Sequence, residues 1–373
     1  MKVALVTPRF PPDIGGLETY VGWVAQVLHA APDCEVTVIT TGTSRRTRRE
    51  TWRGIPVIRL GTWGTISNTP FNPLWALQVR RLVARLGADV VNAHAPVPFL
   101  ADVTAFTSPV PVVLTYHSGS LVKGSGRVDG LLRAYERHVL PRVFTRAAGL
   151  VAVSPVSAAW ATGRARLVAP GVDSDLFTPP TSEAPRERRV LYVGRVERTS
   201  RWKGLAVLVD SLVHLQDRVP GVRLDVVGDG DDVAELKARA TWLGVDGCID
   251  WHGKVAHAEL PRLYRRAAVT VLPSLTESES FGMTLVEAMA SGCPVVGSDV
   301  GGIPFVVRDG VDGLLVPPGD PALLAEALAA VLGDPDRAAE MGAAGREAAI
   351  GRWDWKRQED STLEVLKEAA GVG

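Results

Sequence analysis

Short apolar runs alternate along this chain with longer stretches that have helical spacing. The runs are rich in Val, Leu and Ile and show no regular polar alternation, which is typical of parallel strands buried on both faces. They are KVALVTP, EVTVITT, DVVNAHAP, PVVLTYHS and GLVAVSP, followed by RVLYVGR, RLDVVGDG, TVLPS, CPVVGSD and GLLVPPG. Strands that alternate with helices in this way predict an α/β protein with two doubly wound, Rossmann-like domains.

One break in this alternation predicts the domain boundary. Residues 175–189, DLFTPPTSEAPRERR, concentrate Pro, Ser and charge between the last strand of one half and the first strand of the next. We therefore place the domains at 1–172 and 173–350, with a final helix within 351–373. At 373 residues the chain is long enough for two separate cores.

Composition narrows the classes of partner. The 41 basic and 41 acidic residues cancel, so the composition implies no polyanion-binding field and nucleic acid is not an expected partner. No apolar run reaches about 18 residues and no signal-like segment follows Met1, which predicts a cytoplasmic protein without a membrane span. Cys34, Cys248 and Cys293 are too few and too scattered for a disulfide framework or a metal site, and each is expected to be a small buried residue.

The stretch PSLTESESFGMTLVEAMASG, residues 273–292, carries the most chemical information. If a helix begins near Phe281 or Gly282, Glu279 precedes it and Glu287 lies more than one turn inside. Free N–H groups at Phe281, Gly282 and Met283 would then receive a phosphate at the positive end of the helix dipole. Carboxylates beside a phosphate suit hydroxyl groups, so the combination indicates a ligand that carries phosphate and sugar.

The alternative interpretation makes Glu279 and Glu287 solvated charges on an ordinary amphipathic helix. The residues around Glu287 are Leu285, Val286, Ala288 and Met289, which leave little polar face for it. The sequence therefore favours the ligand site.

This stretch resembles the signature of retaining glycosyltransferases of the GT-B fold, family four, which carry two glutamates eight positions apart followed by Ala-Met-Ala-x-Gly. The resemblance implies that Glu279 contacts the hydroxyls of the donor sugar and that Glu287 holds the ribose. It places Ser280, Phe281, Gly282 and Met283 between them in the donor site. It also implies an acceptor-binding N-terminal domain, a donor-binding C-terminal domain and a last helix that returns to the N-terminal domain.

Two cations follow the first strand of the second half. Arg195 comes directly after Gly194, and Lys203 precedes Gly204 eight residues later. Arginine supplies a planar fork and lysine a point charge, a common pairing for adjacent phosphate groups. By resemblance both bind the donor diphosphate and stabilise it as it leaves. The segment between them is longer than in the commonest family version, which leaves Arg198 and Arg201 as substitutes for Lys203.

The first half carries further candidate residues near the ends of its strands. Gly15 and Gly16 follow the first strand, where their backbone would approach the diphosphate or the acceptor. His117 follows the strand PVVLTY and by resemblance touches the donor sugar, and His94 is a second candidate on the acceptor side. For both, the alternative is a core histidine whose hydrogen bonds are satisfied within the protein. Glu18 has two interpretations, an acceptor contact or a favourable partner for the helix dipole.

The nucleobase is expected to contact the main chain after the strand at IDWHGKV. Gly253, Lys254 and Val255 match the family stretch that reads the base, and His252 belongs to the strand and loop that hold it. In VVGDGDDVAEL the aspartates do not form the tight acidic triplet of metal-dependent enzymes, so no metal is predicted. Asp229 and Gly230 are interpreted as lining the nucleotide pocket or capping the next helix.

The resemblance implies a mechanism without a cofactor. The acceptor hydroxyl attacks the front face of the donor sugar, the leaving phosphate takes its proton, and Arg195 and Lys203 stabilise the departing diphosphate. Glu279 holds the sugar and forms no glycosyl-enzyme bond. A nucleotide-sugar epimerase of the same fold and a catalytically silent partner protein stay open as alternatives, although the intact motif residues argue against both.

The acceptor is an unspecified hydroxyl of a glycan, a lipid or a small molecule. The segment WGTISNTPFNPLW, from Trp63 to Trp75, is unusually apolar for a loop, and the nearby RRTRR of Arg45 to Arg49 is predicted to form a cationic loop. One interpretation is peripheral contact with an anionic membrane surface. The other is that Phe71 and Trp75 dock the next helix onto the sheet and that the arginines are solvated.

Overall fold

The computed structural model describes residues 1–13, 15–66, 69–122, 129–181 and 186–372. It divides into two compact units, one formed by Met1–Ala169 with Lys356–Gly373 and the other by Pro170–Trp355. The divisions lie a few residues from the predicted boundaries at 172 and 350. The acceptor and donor roles assigned to the two domains stay predictions.

Sixteen strands are found in the described chain. In the first unit they are β1 Lys2–Thr7, β2 Glu35–Thr41, β3 Arg48–Trp52, β4 Ile55–Leu60, β5 Gly64–Ile66, β6 Thr69–Phe71, β7 Val90–Ala95, β8 Val112–Tyr116, β9 Gly149–Ala152 and β10 Arg166–Leu167. In the second unit they are β11 Glu187–Val193, β12 Arg223–Val227, β13 Ile249–Gly253, β14 Ala267–Leu272, β15 Val295–Ser298 and β16 Leu314–Val316.

The helices alternate with these strands. They are α1 Gly16–Ala30, α2 Trp75–Leu86, α3 Leu100–Thr107, α4 Asp129–His138, α5 Leu140–Arg146, α6 Leu205–Arg218, α7 Val233–Leu243, α8 Leu260–Arg266, α9 Met283–Ala290, α10 Ile303–Val306, α11 Pro321–Gly333, α12 Pro335–Trp353 and α13 Trp355–Ala370. Short 3-10 helices span Trp160–Thr162, Arg198–Lys203, Asp246–Cys248 and His257–Glu259.

The first unit is built on an eight-stranded sheet in the order β10-β9-β8-β7-β1-β2-β4-β3. Its pairs are parallel except for β3 against β4. Every residue of β7 and β8 is buried, including the polar Asn92, His94 and Thr115, as is typical of parallel strands covered by helices on both faces. The chain leaves β1 toward β2 and later returns on the other side to β7, so the loops after β1 and β7 lie at a topological switch point.

The second unit repeats this design with six parallel strands in the order β13-β12-β11-β14-β15-β16. Its core gathers the apolar residues of the central strands with those of α6 and α11. The switch point falls between β11 and β14, whose carboxyl ends are Val193 and Leu272. The segments 194–204 and 273–282, which carry the predicted donor residues, therefore leave the sheet side by side.

The structure corrects two predictions and narrows a third. Arg45 to Arg49 do not form one cationic loop, since Arg48 and Arg49 belong to β3. Cys34 is only half-buried, while Cys248 and Cys293 are buried as predicted. Trp75 is fully buried at the start of α2 and its indole N–H donates to the Gly61 carbonyl oxygen, so this residue does dock its helix onto the sheet.

Other parts of these segments have a limited description. Ser67 and Asn68 in the apolar segment, Ile14 beside the glycine pair, and residues 182–185 of the predicted linker lie outside the described residues. None of the helices in the described ranges combines the length and the apolar character needed to cross a bilayer. Membrane contact stays a prediction.

Candidate active site

Helix α9 begins within two residues of its predicted start. Gly282 occupies the N-cap position with φ of 94°, a left-handed conformation that glycine adopts without steric cost, and no side chain caps the helix. The first amide groups of a helix lack an i−4 acceptor, and of the first three in α9 only that of Leu285 has a partner in the described chain, the Gly282 carbonyl oxygen at 2.9 Å. The N-terminus of α9 therefore presents free donors, with Glu279 before it and Glu287 in its second turn.

Glu279 is held in place by Lys203, one of the two cations predicted to bind the donor diphosphate. Its Oε2 accepts a hydrogen bond from Lys203 Nζ at 2.7 Å and another from Ser274 Oγ at 3.3 Å. Both side chains of the ion pair are largely buried, and the Lys203 ammonium lies 4.6 Å from the centre of the Trp202 ring. A largely buried charge pair of this kind keeps a cation and a carboxylate at fixed positions for a ligand.

Two glycines allow the loops around Glu279 to approach each other. A Cβ atom on Gly204, at φ of 74°, would lie 1.8 Å from the Pro273 carbonyl oxygen, and one on Gly301, at φ of 60°, would lie 2.2 Å from the Glu279 carbonyl oxygen. The amide of Gly302 donates to that same oxygen at 2.7 Å. The loop that carries Lys203 therefore packs backbone to backbone against the loop that leads to Glu279, which brings the two side chains into contact.

The two proposed substitutes for Lys203 are engaged elsewhere. Arg201 forms ion pairs with Asp232 and Glu235 near the start of α7, and these hydrogen bonds raise the pKa of its guanidinium. Arg198 lies 3.8 Å from Glu235. Arg195, by contrast, is exposed and forms no ion pair with any residue that the structure describes. Lys203 and Arg195 are thus the cations whose placement suits the predicted diphosphate site.

Glu287 has two partners that the sequence did not predict. Its Oε1 lies 2.9 Å from His257 Nε2, and its Oε2 accepts a hydrogen bond from the Tyr264 hydroxyl at 2.9 Å. The Phe177 ring packs edge-on against the rings of both partners. The carboxylate is buried, so these two groups fix its orientation beside the second turn of α9.

The titration of these partners depends on Glu287. Burial alone would lower the pKa of His257, but the hydrogen bond and the charge of Glu287 outweigh it, and the pKa is raised. Burial and the same carboxylate raise the pKa of Tyr264 well above its ordinary value. Tyr264 therefore acts as a permanent hydrogen-bond donor, and His257 favours its charged form.

Arg186 joins the two helices that carry Tyr264 and Glu287. Its Nη1 donates to the carbonyl oxygens of Tyr264, Arg265 and Ala267 at 2.6 to 3.0 Å, at the end of α8. Its Nη2 donates to those of Ser291 and Gly292 at 3.1 and 2.9 Å, at the end of α9. A cation at two helix C-termini satisfies free carbonyl groups and complements both helix dipoles.

The stretch predicted to contact the nucleobase begins at the end of β13, whose His252 side chain contacts Asp225 of the neighbouring strand β12. His252 Nε2 lies 2.7 Å from Asp225 Oδ1, and Asp225 also accepts from Arg189. Gly253, the last residue of β13, accepts a hydrogen bond from the amide of Gly228. The chain continues through Lys254 and Val255 to His257, so this stretch leads directly to the Glu287 cluster.

One expectation in this region is wrong in part. Asp229 does not cap α7, because the N-cap position belongs to Asp232 and Asp229 Oδ1 accepts from the adjacent amide of Gly230. A Cβ atom on Gly230 would lie 2.3 Å from the Val196 carbonyl oxygen, so this turn packs against the loop that follows β11. Lining of the nucleotide pocket stays a prediction for both residues.

The predicted residues of the first unit lie at the carboxyl ends of its strands. Helix α1 begins at Gly16, and the Glu18 carboxylate folds back so that a Cβ atom on Gly15 would lie 2.3 Å from its Oε2. Glu18 is buried beside the helix N-terminus, which favours the helix-dipole interpretation over an acceptor contact.

His94 and His117 form one cluster at the ends of β7 and β8. His94 Nδ1 lies 2.9 Å from His117 Nε2, and the Tyr20 ring packs edge-on against both imidazoles. Burial and the neighbouring His117 lower the pKa of His94 well below its usual range. Burial also lowers the pKa of His117, to about 3. Both rings are consequently neutral near pH 7.

Two family models together match most of the chain. The family model described as Glycosyl transferases group 1 matches residues 174–348, and the model described as Glycosyltransferase Family 4 matches residues 14–175. Solved structures agree over the whole chain. A sucrose-phosphate synthase from Thermosynechococcus elongatus covers 100% of both chains with a TM-score of 0.82 at 24% identity. Anabaena HepE, solved in complex with UDP, covers 99% of this chain and 100% of its own with a TM-score of 0.78 at 21% identity.

These matches define a glycosyltransferase with the GT-B fold, and the predicted fold class is confirmed. The chain is 31% identical to a phosphatidyl-myo-inositol mannosyltransferase of Mycobacterium leprae, over 100% of this chain and 98% of that protein. It is 32% identical to a D-inositol 3-phosphate glycosyltransferase of Xylanimonas cellulosilytica, over 96% and 92%. The chain belongs to glycosyltransferase family 4, as its motifs predicted.

Proposed function

We propose that this protein is a retaining glycosyltransferase that moves a hexose from a UDP- or GDP-sugar to a hydroxyl acceptor. The observation that carries the proposal is the arrangement around α9, where Lys203 holds Glu279, Tyr264 and His257 hold Glu287, and the helix N-terminus between the two carboxylates has no side-chain cap. Free amide groups suit a phosphate and oriented carboxylates suit hydroxyls.

The charged residues of the site divide the work of the proposed reaction between stabilising the leaving group and orienting the donor. Arg195 and Lys203 stabilise the negative charge that develops on the departing diphosphate, an electrostatic effect that is usually the largest single contribution to catalysis. Glu279 orients the sugar and Glu287 the ribose. The acceptor oxygen forms its bond to the anomeric carbon on the face that the phosphate oxygen leaves, and the hydroxyl proton passes to that phosphate oxygen.

For the acceptor we propose an inositol-containing molecule. Two kinds of relative at 31% and 32% identity, with near-complete coverage, are named for phosphatidyl-myo-inositol and for D-inositol 3-phosphate. A third, from Mycobacterium tuberculosis at 29% identity, is named as GDP-mannose-dependent and acts on phosphatidylinositol monomannoside. A lipid acceptor would bring the protein to a membrane surface, whereas inositol phosphate would not.

The first experiment measures the melting temperature with a panel of UDP- and GDP-sugars. A ligand that binds only the native state at 100 times its Kd stabilises the protein by about 2.7 kcal/mol, which is readily detected. A shift with one nucleotide class identifies the donor. No shift with any of them, in folded protein, would contradict the proposal and favour the silent-partner alternative.

The second experiment tests transfer with the identified donor. Phosphatidylinositol in vesicles and soluble inositol 3-phosphate are offered as separate acceptors, and the product is analysed for its anomeric configuration. Glu279→Gln should abolish most transfer, whereas Glu277→Gln, at an exposed position two residues earlier, is the matched control. Full activity in Glu279→Gln, or an inverted product, would refute the assigned mechanism, and an epimerised sugar without acceptor would support the alternative enzyme class.

A further inference from the structure

The His94 and His117 side chains belong to a hydrogen-bonded chain whose far end is an amide. His94 Nε2 lies 3.0 Å from Asn92 Oδ1, on the side of the ring away from His117. His94 Nδ1 lies 2.9 Å from His117 Nε2. Each contact between two nitrogens, or between a nitrogen and an oxygen, needs one donor and one acceptor, so the orientation of Asn92 decides the rest.

The orientation of Asn92 is set by strand β8. Its Nδ2 lies 3.3 Å from the Val113 carbonyl oxygen and 3.1 Å from Thr115 Oγ1. A carbonyl oxygen only accepts hydrogen bonds, so the amide nitrogen must face it and Oδ1 must face His94. His94 Nε2 therefore donates, and it carries a proton.

A neutral imidazole has one N–H, which fixes the remaining positions. His94 is completely buried, and its lowered pKa keeps it neutral, so its Nδ1 is an acceptor. His117 Nε2 must then be the donor in the contact between the rings. His117 Nδ1 is left with a lone pair, and no residue in the described part of the chain donates to it.

We propose that Asn92 and His94 are positioning residues that hold His117 in its Nε2–H form, so that its Nδ1 accepts a hydrogen bond from a hydroxyl of the ligand. That this hydroxyl belongs to the donor sugar rests on the proposed function; the proton position does not. The arrangement selects for a group that can donate. A sugar with fluorine or hydrogen in place of that hydroxyl loses the contact, because neither substituent can donate to a lone pair.

The proton position is measured on the ligand-free full-length protein by nitrogen-15 NMR of the imidazole rings. The His117 signals are assigned by their disappearance in His117→Gln. We expect a protonated Nε2 and an unprotonated Nδ1 for His117. A protonated Nδ1 in the wild-type protein would overturn the inference, whatever the protein transfers.

Two variants of His94 form a matched pair. His94→Leu removes the acceptor and leaves the His117 N–H beside methyl groups, so the proton should move to Nδ1. His94→Asn places an amide oxygen on the same Cγ position that bears Nδ1, so the Nε2–H form should be retained. Unchanged His117 signals in His94→Leu, or a moved proton in His94→Asn, would refute the role of His94. If His94→Leu does not fold, the wild-type and His94→Asn spectra still decide.

Kinetics then connect the proton position with binding. In His94→Leu the KM for the donor should rise about 5- to 100-fold, the range for either one lost hydrogen bond or one donor left unpaired on binding, with a smaller change in kcat. His94→Asn should recover most of this loss. Equal donor KM values in the two variants would mean that His94 acts only through packing. If no nucleotide sugar binds at all, the proposed function fails while the NMR result stands.

Discussion

Tyr264→Phe tests whether Glu287 is oriented by the hydroxyl that the structure places against it. The substitution removes one oxygen and keeps the ring between Phe177 and the core. The lost hydrogen bond is 2.9 Å long, it ends on a carboxylate, and Tyr264 is completely buried, so water cannot replace the hydroxyl. A hydrogen bond to a charged group contributes about 1.5–3 kcal/mol. For a unit of this size about 1 kcal/mol changes Tm by roughly 2–4 °C, so we expect a fall of roughly 3–12 °C.

Tyr192→Phe is the matched control. Tyr192 is equally buried in the same unit, but its hydroxyl has no hydrogen-bond partner among the residues described. Removing an unsatisfied hydroxyl should change stability by less than about 0.5 kcal/mol or increase it. Both variants and the wild-type protein are unfolded in urea and by heat without ligand. Donor affinity is then measured by calorimetry, where Tyr264→Phe should bind more weakly.

Two results would refute this reasoning. An equal loss of stability in the two phenylalanine variants would show that the ring environment, and not the bond to Glu287, sets the cost. Unchanged stability together with unchanged donor affinity in Tyr264→Phe would remove the hydroxyl from the site.

The remaining predictions concern charge, pH, backbone contact and metal. Lys203→Met should lower kcat by about 10²–10³, as loss of a preorganised charge does, whereas Lys367→Met at an exposed position of α13 should not; similar kcat values would refute the role of Lys203. Because the pKa of His257 is raised on folding, its contribution is complete below its unfolded pKa of about 6.5 and is lost as pH rises through the raised value; denaturation from pH 6 upward should show that decline, and a His257→Gln variant with the same decline would contradict it. Gly301→Ala should cost about 1–3 kcal/mol more than Gly310→Ala in urea unfolding, because both glycines have positive φ but only Gly301 meets backbone; equal costs would count against the contact. Since no acidic triplet follows a strand in this sequence, transfer should continue in EDTA, and its loss with recovery on adding Mg²⁺ or Mn²⁺ would show a metal requirement.

The sequence predicted the features that depend on local pattern. The ten apolar runs all correspond to strands, because a strand buried on both faces must consist largely of apolar residues, which the sequence shows directly. The start of α9 was predicted because Gly282 and the apolar spacing after it act within a few residues. The edge strand β3 was missed, because RRETW carries arginine, glutamate and threonine and pairs on one side only.

Contacts between distant positions were not predictable in this way. Tyr264 and His257 reach Glu287 across 23 and 30 residues, and neither position carries a spacing that marks it as a ligand residue. The only available indication was that both residues precede β14, the strand after which Glu279 follows. The choice between Lys203 and Arg201 likewise required the acidic start of α7, which lies about thirty residues further along the chain.

The contacts of the Arg186 guanidinium limit where this chain can be joined to another in a chimeric transferase. Linkers between domains are normally the safest places to join two parent chains, because few contacts depend on them. Here Arg186, which lies within the predicted linker segment 175–189, also holds the C-terminal ends of the helices that carry Tyr264 and Glu287. A hybrid that inherits its second half from this protein should therefore take Arg186 with it, because a junction placed a few residues later would remove the side chain that holds the helices of the predicted donor site.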